Sequence, residues 1–195
     1  MENFWYYYKW YLLGGIFLIV TLLVAIHSCA NKEETDLYLL CSGQSAPSPM
    51  QTQQLEEFFA EKITDPKEEE PANVTIVTAA TVDQWNGSNS AAMLVQVNSG
   101  KMVLYVLDDT TYKILHDNGL LQDLSFAGES EFLEEDRYLL SASGALNELE
   151  SLKEDPTQYY LCIRKVEGTT LEENPHYIEQ EKLSKEIMKK MVASK

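Results

Sequence analysis

Met102-Val-Leu-Tyr-Val-Leu107, followed at once by Asp108-Asp109-Thr110-Thr111 and closed by Asn118-Gly119, sets the fold class. The first six residues are apolar without a break, which suits a strand buried on both faces of a sheet. The acidic and hydroxyl residues after it offer oxygen acceptors to the free N–H groups of a helix start, and Asn118-Gly119 offers the left-handed stop. A short helix through Tyr112, Ile114 and Leu115 is predicted between them.

The same alternation recurs upstream. Leu37-Tyr-Leu-Leu-Cys41 is a first buried strand, Ser42 to Pro49 a turn-rich connection, and Gln51 to Lys62 a helix with Leu55, Phe58, Phe59 and Ile63 at helical spacing. Asp65-Pro-Lys-Glu-Glu-Glu-Pro71 reads as an exposed loop, and the β-branched run Val74-Thr-Ile-Val-Thr-Ala-Ala80 as a second strand. Asn86-Gly-Ser-Asn-Ser90 then supplies turn and cap chemistry for a helix over Ala91 to Val97, which Gly100 stops. A parallel connection needs a helical crossover, so three strand–helix repeats predict an α/β domain with a mixed, mostly parallel sheet and helices packed on it. Leu37 to Cys41, Val74 to Val77 and Met102 to Leu107 are expected to be its neighbouring central strands.

Downstream, Glu129 to Leu152 shows no regular period. Tyr159-Tyr-Leu-Cys-Ile-Arg-Lys-Val166 is a late strand, expected to add antiparallel at a sheet edge, and Pro175 opens a last helix through Ala193 with Leu183, Ile187 and Met191 on one face.

The N-terminal part is different in kind. Tyr11 to Ile26 contains no charged residue, and with Trp10 and residues 27–30 the block reaches about 20 residues, enough for a helix to cross a bilayer. Phe4-Trp-Tyr-Tyr-Tyr-Lys-Trp10 suits the headgroup layer. Three other readings compete. A cleaved signal peptide wants a more basic start and a small-x-small site; a soluble core helix wants a polar stripe, where only Thr21 is polar; a lipoprotein signal ending at Cys29 wants a small or aliphatic residue where His27 stands. The expected organisation is a short cytoplasmic segment over 1–9, a transmembrane helix over 10–30, and an extracytoplasmic domain over 31–195.

Of 15 Lys+Arg and 31 Asp+Glu, only Lys9 and Glu2 precede the helix, so the following domain holds the entire formal charge of −16. Lys9 on the leading side agrees with a cytoplasmic N-terminus. So acidic a domain argues against a nucleic-acid partner, whose phosphates call for basic neutralisation.

Three cysteines fit neither a disulfide framework nor a zinc site. Cys41 and Cys162 are expected as buried small hydrophobes, with a disulfide between them if their strands are neighbours. His116 and His176 stand apart without a nucleophile motif, and both read as surface residues. Glu68-Glu69-Glu70 and Glu134-Glu135-Asp136 lack calcium-loop spacing and read as solvated loops. No glycine-rich phosphate cradle follows a strand, so no cofactor and no metal are expected. Asn73-Val-Thr75 and Asn86-Gly-Ser88 match the short glycosylation pattern. Asp108 and Asp109 stand where α/β sheets bind ligands, although helix capping accounts for them as well.

From Val74 to Ser125 the chain resembles the first lobe of bacterial extracellular solute-binding proteins of the sugar-binding type. The resemblance rests on Val74 to Ala80, Ser99-Gly100, Met102 to Leu107, Asp108-Asp109 and the closing phrase Gly119-Leu-Leu-Gln-Asp-Leu-Ser125. Lys101-Met102-Val103 departs from the family's usual acidic-x-Pro-Asp-Val phrase. The anchor is similar to those of small membrane proteins of Gram-positive bacteria that open with an aromatic run. The resemblance implies one lobe, hence a half-site, since capture in that family closes two lobes over a solute.

The expected function is a non-enzymatic, membrane-tethered interaction or accessory module at the cell surface, with a membrane or envelope protein as partner. The alternatives are a small-solute-binding component of a transporter, with Trp85, Asp108 and Asp109 as the wall of a shallow site, and an envelope enzyme.

Overall fold

The computed structural model describes residues 13–23, 35–43, 47–64, 71–80, 94–95, 97–98, 100–153 and 157–193. The aromatic run, Cys29, the Glu68–Glu70 loop, Trp85 and Asn86 lie outside them. The chain divides into two units, Met1–Glu34 and Thr35–Lys195.

In the first unit residues 13–23 are helical and exposed on every side. Phe17 is 73% and Leu18 64% exposed, so the helix has an apolar surface with no buried face. No helix among the described residues is long and apolar enough to cross a membrane. The span expected over 10–30 extends beyond the described stretch at both ends.

The second unit is α/β. Its strands are β1 (Leu37–Gly43), β2 (Val74–Ala80), β3 (Leu104–Asp108), β4 (Tyr138–Leu139) and β5 (Tyr159–Ile163). They form one sheet in the order β2-β1-β3-β5-β4. β1 pairs in parallel with β2 and β3, while β5 runs antiparallel to both β3 and β4, so four strands share one direction. The helices are α1 (Pro49–Ile63), α2 (Asp109–Asp117), the single turn α3 (Glu150–Lys153) and α4 (Pro175–Ala193).

Period-two alternation divides the strand side chains between two cores. On one face Leu37, Leu39, Cys41, Leu104, Val106, Leu161 and Ile163 pack against Leu55, Phe58 and Phe59 of α1 and Ile187, Met188 and Met191 of α4. On the other, Leu40, Tyr105, Leu107, Tyr160 and Cys162 meet Tyr112 and Leu115 of α2 together with Val97. Helices therefore cover both faces, which is why β1 and β3 read as unbroken apolar runs. The helix predicted over Ala91 to Val97 is helical at residues 94–95 and 97–98, its other residues lying outside the described ones.

Local chemistry sets the helix ends. Ser48 caps α1 by accepting from Gln51 N, while the Gln51 side chain accepts from Ser48 N, and Pro49 occupies the first turn. Gly119 takes the left-handed conformation after α2, at φ 64°.

Three expectations need correction. β2 neighbours β1 but lies at the sheet edge, and only Val74, Ile76 and Ala79 of its seven residues are buried. The late strand β5 is antiparallel, as expected, but it is internal: β4, two residues from the stretch without a period, takes the edge. Cys41 and Cys162 are both free thiols, because β3 separates their strands and they belong to opposite cores. Burial pushes the Cys41 thiol up to about 12, with the Asp108 charge adding to it, and raises Cys162 as well.

Candidate functional site

The sheet order places a crevice where ligands of open α/β sheets bind. From β1 the chain passes to β2 on one side, and β3 then joins β1 on the other, so the connections diverge at the carboxyl ends of β1 and β3. A cavity of about 320 Å³ lies there, lined by Gly43 at the end of β1, Asp108 to Thr110 at the end of β3, and Thr157 to Tyr159 leading into β5. Its floor is fixed by the antiparallel pairing of Asp108 with Tyr159.

The structure brings two of the three expected wall residues to this crevice, and Trp85 lies outside the described residues. Asp108 and Asp109 do different work. Asp108 is buried and extended, and its Oδ1 accepts from Thr111 N at 2.8 Å, so it is the N-cap of α2. Asp109 opens the helix with a half-exposed carboxylate that accepts from Lys113 one turn on, and this bond raises the lysine pKa. The crevice thus presents a helix start, the half-exposed Asp109 carboxylate above the buried Asp108, threonine hydroxyls and the Gln158 amide. That set suits hydroxyl or amine groups of a ligand, or the polar rim of a protein partner.

A second constellation forms at the other end of β3 and β5. Asp136, expected in a solvated acidic loop, is buried. Its Oδ1 accepts from the Tyr112 hydroxyl at 2.7 Å, and its Oδ2 lies 2.6 Å from Nδ1 of His116. Tyr112 and His116 stand one turn apart on α2, so a single carboxylate bonds to both. The hydrogen bond to Asp136, followed by the carboxylate charge, holds the His116 imidazole above its ordinary pKa of 6.5. Burial and the same carboxylate raise the Tyr112 phenol. The Arg137 guanidinium covers this pair, 4.6 Å from the ring centroids of both Tyr112 and Tyr160.

Sequence reasoning missed this triad because Glu134-Glu135-Asp136-Arg137 reads as a charge run. The available signal was Tyr112 and His116 at i, i+4, which place two polar ring atoms on one helix face. His176 is a half-buried ring 5.6 Å from Tyr38 and 3.3 Å from the Lys101 carbonyl, without a carboxylate partner among the described residues. No group of three or more potential metal ligands occurs among the described residues. Comparison with family models, with curated proteins and with solved structures finds no match to this chain.

Proposed function

We propose that this chain is a non-enzymatic interaction or accessory module of the cell surface: an N-terminal apolar helix holds it in the membrane, and the acidic α/β unit outside the cytoplasm offers its carboxyl-edge crevice to a membrane or envelope protein. The observation that carries the reading is the crevice itself, an open polar half-site at the divergence of β1 and β3 in a single compact unit. A half-site of this kind is completed by a second surface, as the likeness to one lobe of a solute-binding protein implies. The apolar helix over residues 13–23, exposed at each position, supports the membrane attachment, because so much apolar surface is costly in water.

The test is site-specific photo-crosslinking of the full-length protein in its membrane. A crosslinking side chain at Gln158, exposed on the crevice, yields one dominant adduct with a membrane or envelope protein, and the same group at Glu173 yields none. The absence of any adduct at Gln158, or identical adducts from both positions, overturns the proposal.

A second reading is small-solute binding for a transporter, favoured by the crevice volume of about 320 Å³ and the half-exposed Asp109 carboxylate in its lining. It predicts a saturable, ligand-dependent rise in melting temperature that Asp109→Asn weakens. A screen of hydroxylated and amine-bearing solutes with no such rise rejects it.

A further inference from the structure

Among the described residues a cleft larger than the crevice opens elsewhere. About 790 Å³ in volume, it lies beside the end of α2, flanked by Leu121 and Lys165, which sit at the opposite end of β5 from the crevice. β3 and β5 are five residues each, so the two sites are separated by roughly 13 Å of strand.

The charge of this cleft differs from that of the whole unit. Its lysines are Lys165, Lys185 and Lys189, its acidic side chains are Asp123, Glu135, Asp136 and Glu167, and the His116 ring lines it as well. Three lysines and four carboxylates meet here in a chain whose formal charge, with histidine neutral, is −16. Part of the charge is already engaged: Asp136 holds His116, and Lys185 pairs with Glu181 at 2.7 Å. No ion pair among the described residues joins Lys165 or Lys189 to an acidic side chain. The lining also includes the apolar Leu121 and Phe126, whose ring has the Lys185 and Lys189 ammonium groups 5.6 and 6.0 Å from its centroid.

A simple anion entering this cleft meets carboxylates, and a simple cation meets lysines. A dipolar molecule with an apolar body satisfies both signs without leaving a like-charge contact. The cleft volume falls in the range of small-ligand sites and exceeds what one free amino acid fills. The His116 ring adds an oriented polar atom: its Nδ1 is committed to Asp136, which leaves Nε2 as the remaining polar atom of a ring that lines the cleft.

We propose that this cleft is a second binding site, for a short peptide with free amino and carboxyl termini. Lys165 and Lys189 receive the carboxylate, Glu135 and Glu167 receive the ammonium group, and the peptide body lies on Phe126 and Leu121 beside His116. The site is separate from the crevice, so it stands or falls independently of the proposed partner surface.

Trialanine is the probe, and the full-length protein carrying 13C-labelled histidine in detergent micelles is the reporter. His27 and His176 serve as internal references. The expected result is a saturable shift of the His116 ring resonance at millimolar trialanine. N-acetyl-trialanine amide, which lacks both terminal charges, produces none. Lys165→Ala combined with Lys189→Ala weakens binding tenfold or more while the resting His116 resonance stays in place. The proposal is overturned if no saturable shift occurs, if the blocked peptide shifts His116 equally, or if the double variant binds like the parent chain.

Discussion

Each end of β3, along which β5 runs in the opposite direction, has a buried aspartate at or beside it, and the two carboxylates are used in opposite ways. At the carboxyl end Asp108 accepts from the backbone N–H of Thr111 and so starts α2. At the amino end Asp136 accepts from Tyr112 and bonds to His116, tying the loop before β4 to the last turn of the same helix. One carboxylate supports backbone, the other orients side chains next to an open cleft. A buried acid is therefore not a site by virtue of its burial; what it bonds to decides what its surroundings can bind.

The largest expected effect tests the amino end. Asp136→Ala removes the acceptor of the buried Tyr112 hydroxyl and the partner of His116, at a cost of about 2 to 3 kcal/mol in urea denaturation of the full chain. Asp108→Ala removes a cap and costs about 1 to 2 kcal/mol, with the loss of helix concentrated in α2 by hydrogen exchange. If Asp108→Ala proves the more damaging of the two, the division of labour between the ends is wrong.

The third prediction concerns pH. An imidazole whose pKa rises on folding adds stability that is complete below the unfolded value of 6.5 and is lost as pH rises through the folded value. His116→Gln should therefore trail the parent chain most at about pH 5.5 and close the gap at alkaline pH. A constant gap across that range means that the His116–Asp136 contact has no ionic part. The smallest effect belongs to Asp109→Asn: its carboxylate is half exposed, so the denaturation midpoint stays within error of the parent. The same substitution is the sensitive one for a solute in the crevice.

The sheet centre could be read from the chain, and the arrangement around it could not. Leu37 to Cys41 and Met102 to Leu107 are unbroken apolar runs because helices cover both faces of β1 and β3, leaving neither strand a side that faces water. Val74 to Ala80 revealed a strand but not its edge position, since a β-branched run suits either place. β4 is two residues long, too short for any period, and β5 takes an internal place only because β4 pairs outside it. The candidate site divides in the same way. Asp108 and Asp109 were legible because a strand, an acidic pair and a helix follow one another in the chain. Asp136 was hidden because its partners lie 20 and 24 residues away.

Whether the acidic unit faces the outside of the cell from a membrane anchor is tested most directly by cysteine labelling. Cys41 and Cys162 are buried, so they stay silent toward a membrane-impermeant maleimide, and Cys29 is replaced by serine. Glu179 on α4 is exposed and takes the reporter cysteine. With the unit outside, Glu179→Cys is labelled in intact cells and stays with the membrane fraction through alkaline extraction. Labelling only after the cells are permeabilised, or release of the protein by alkali, contradicts that placement.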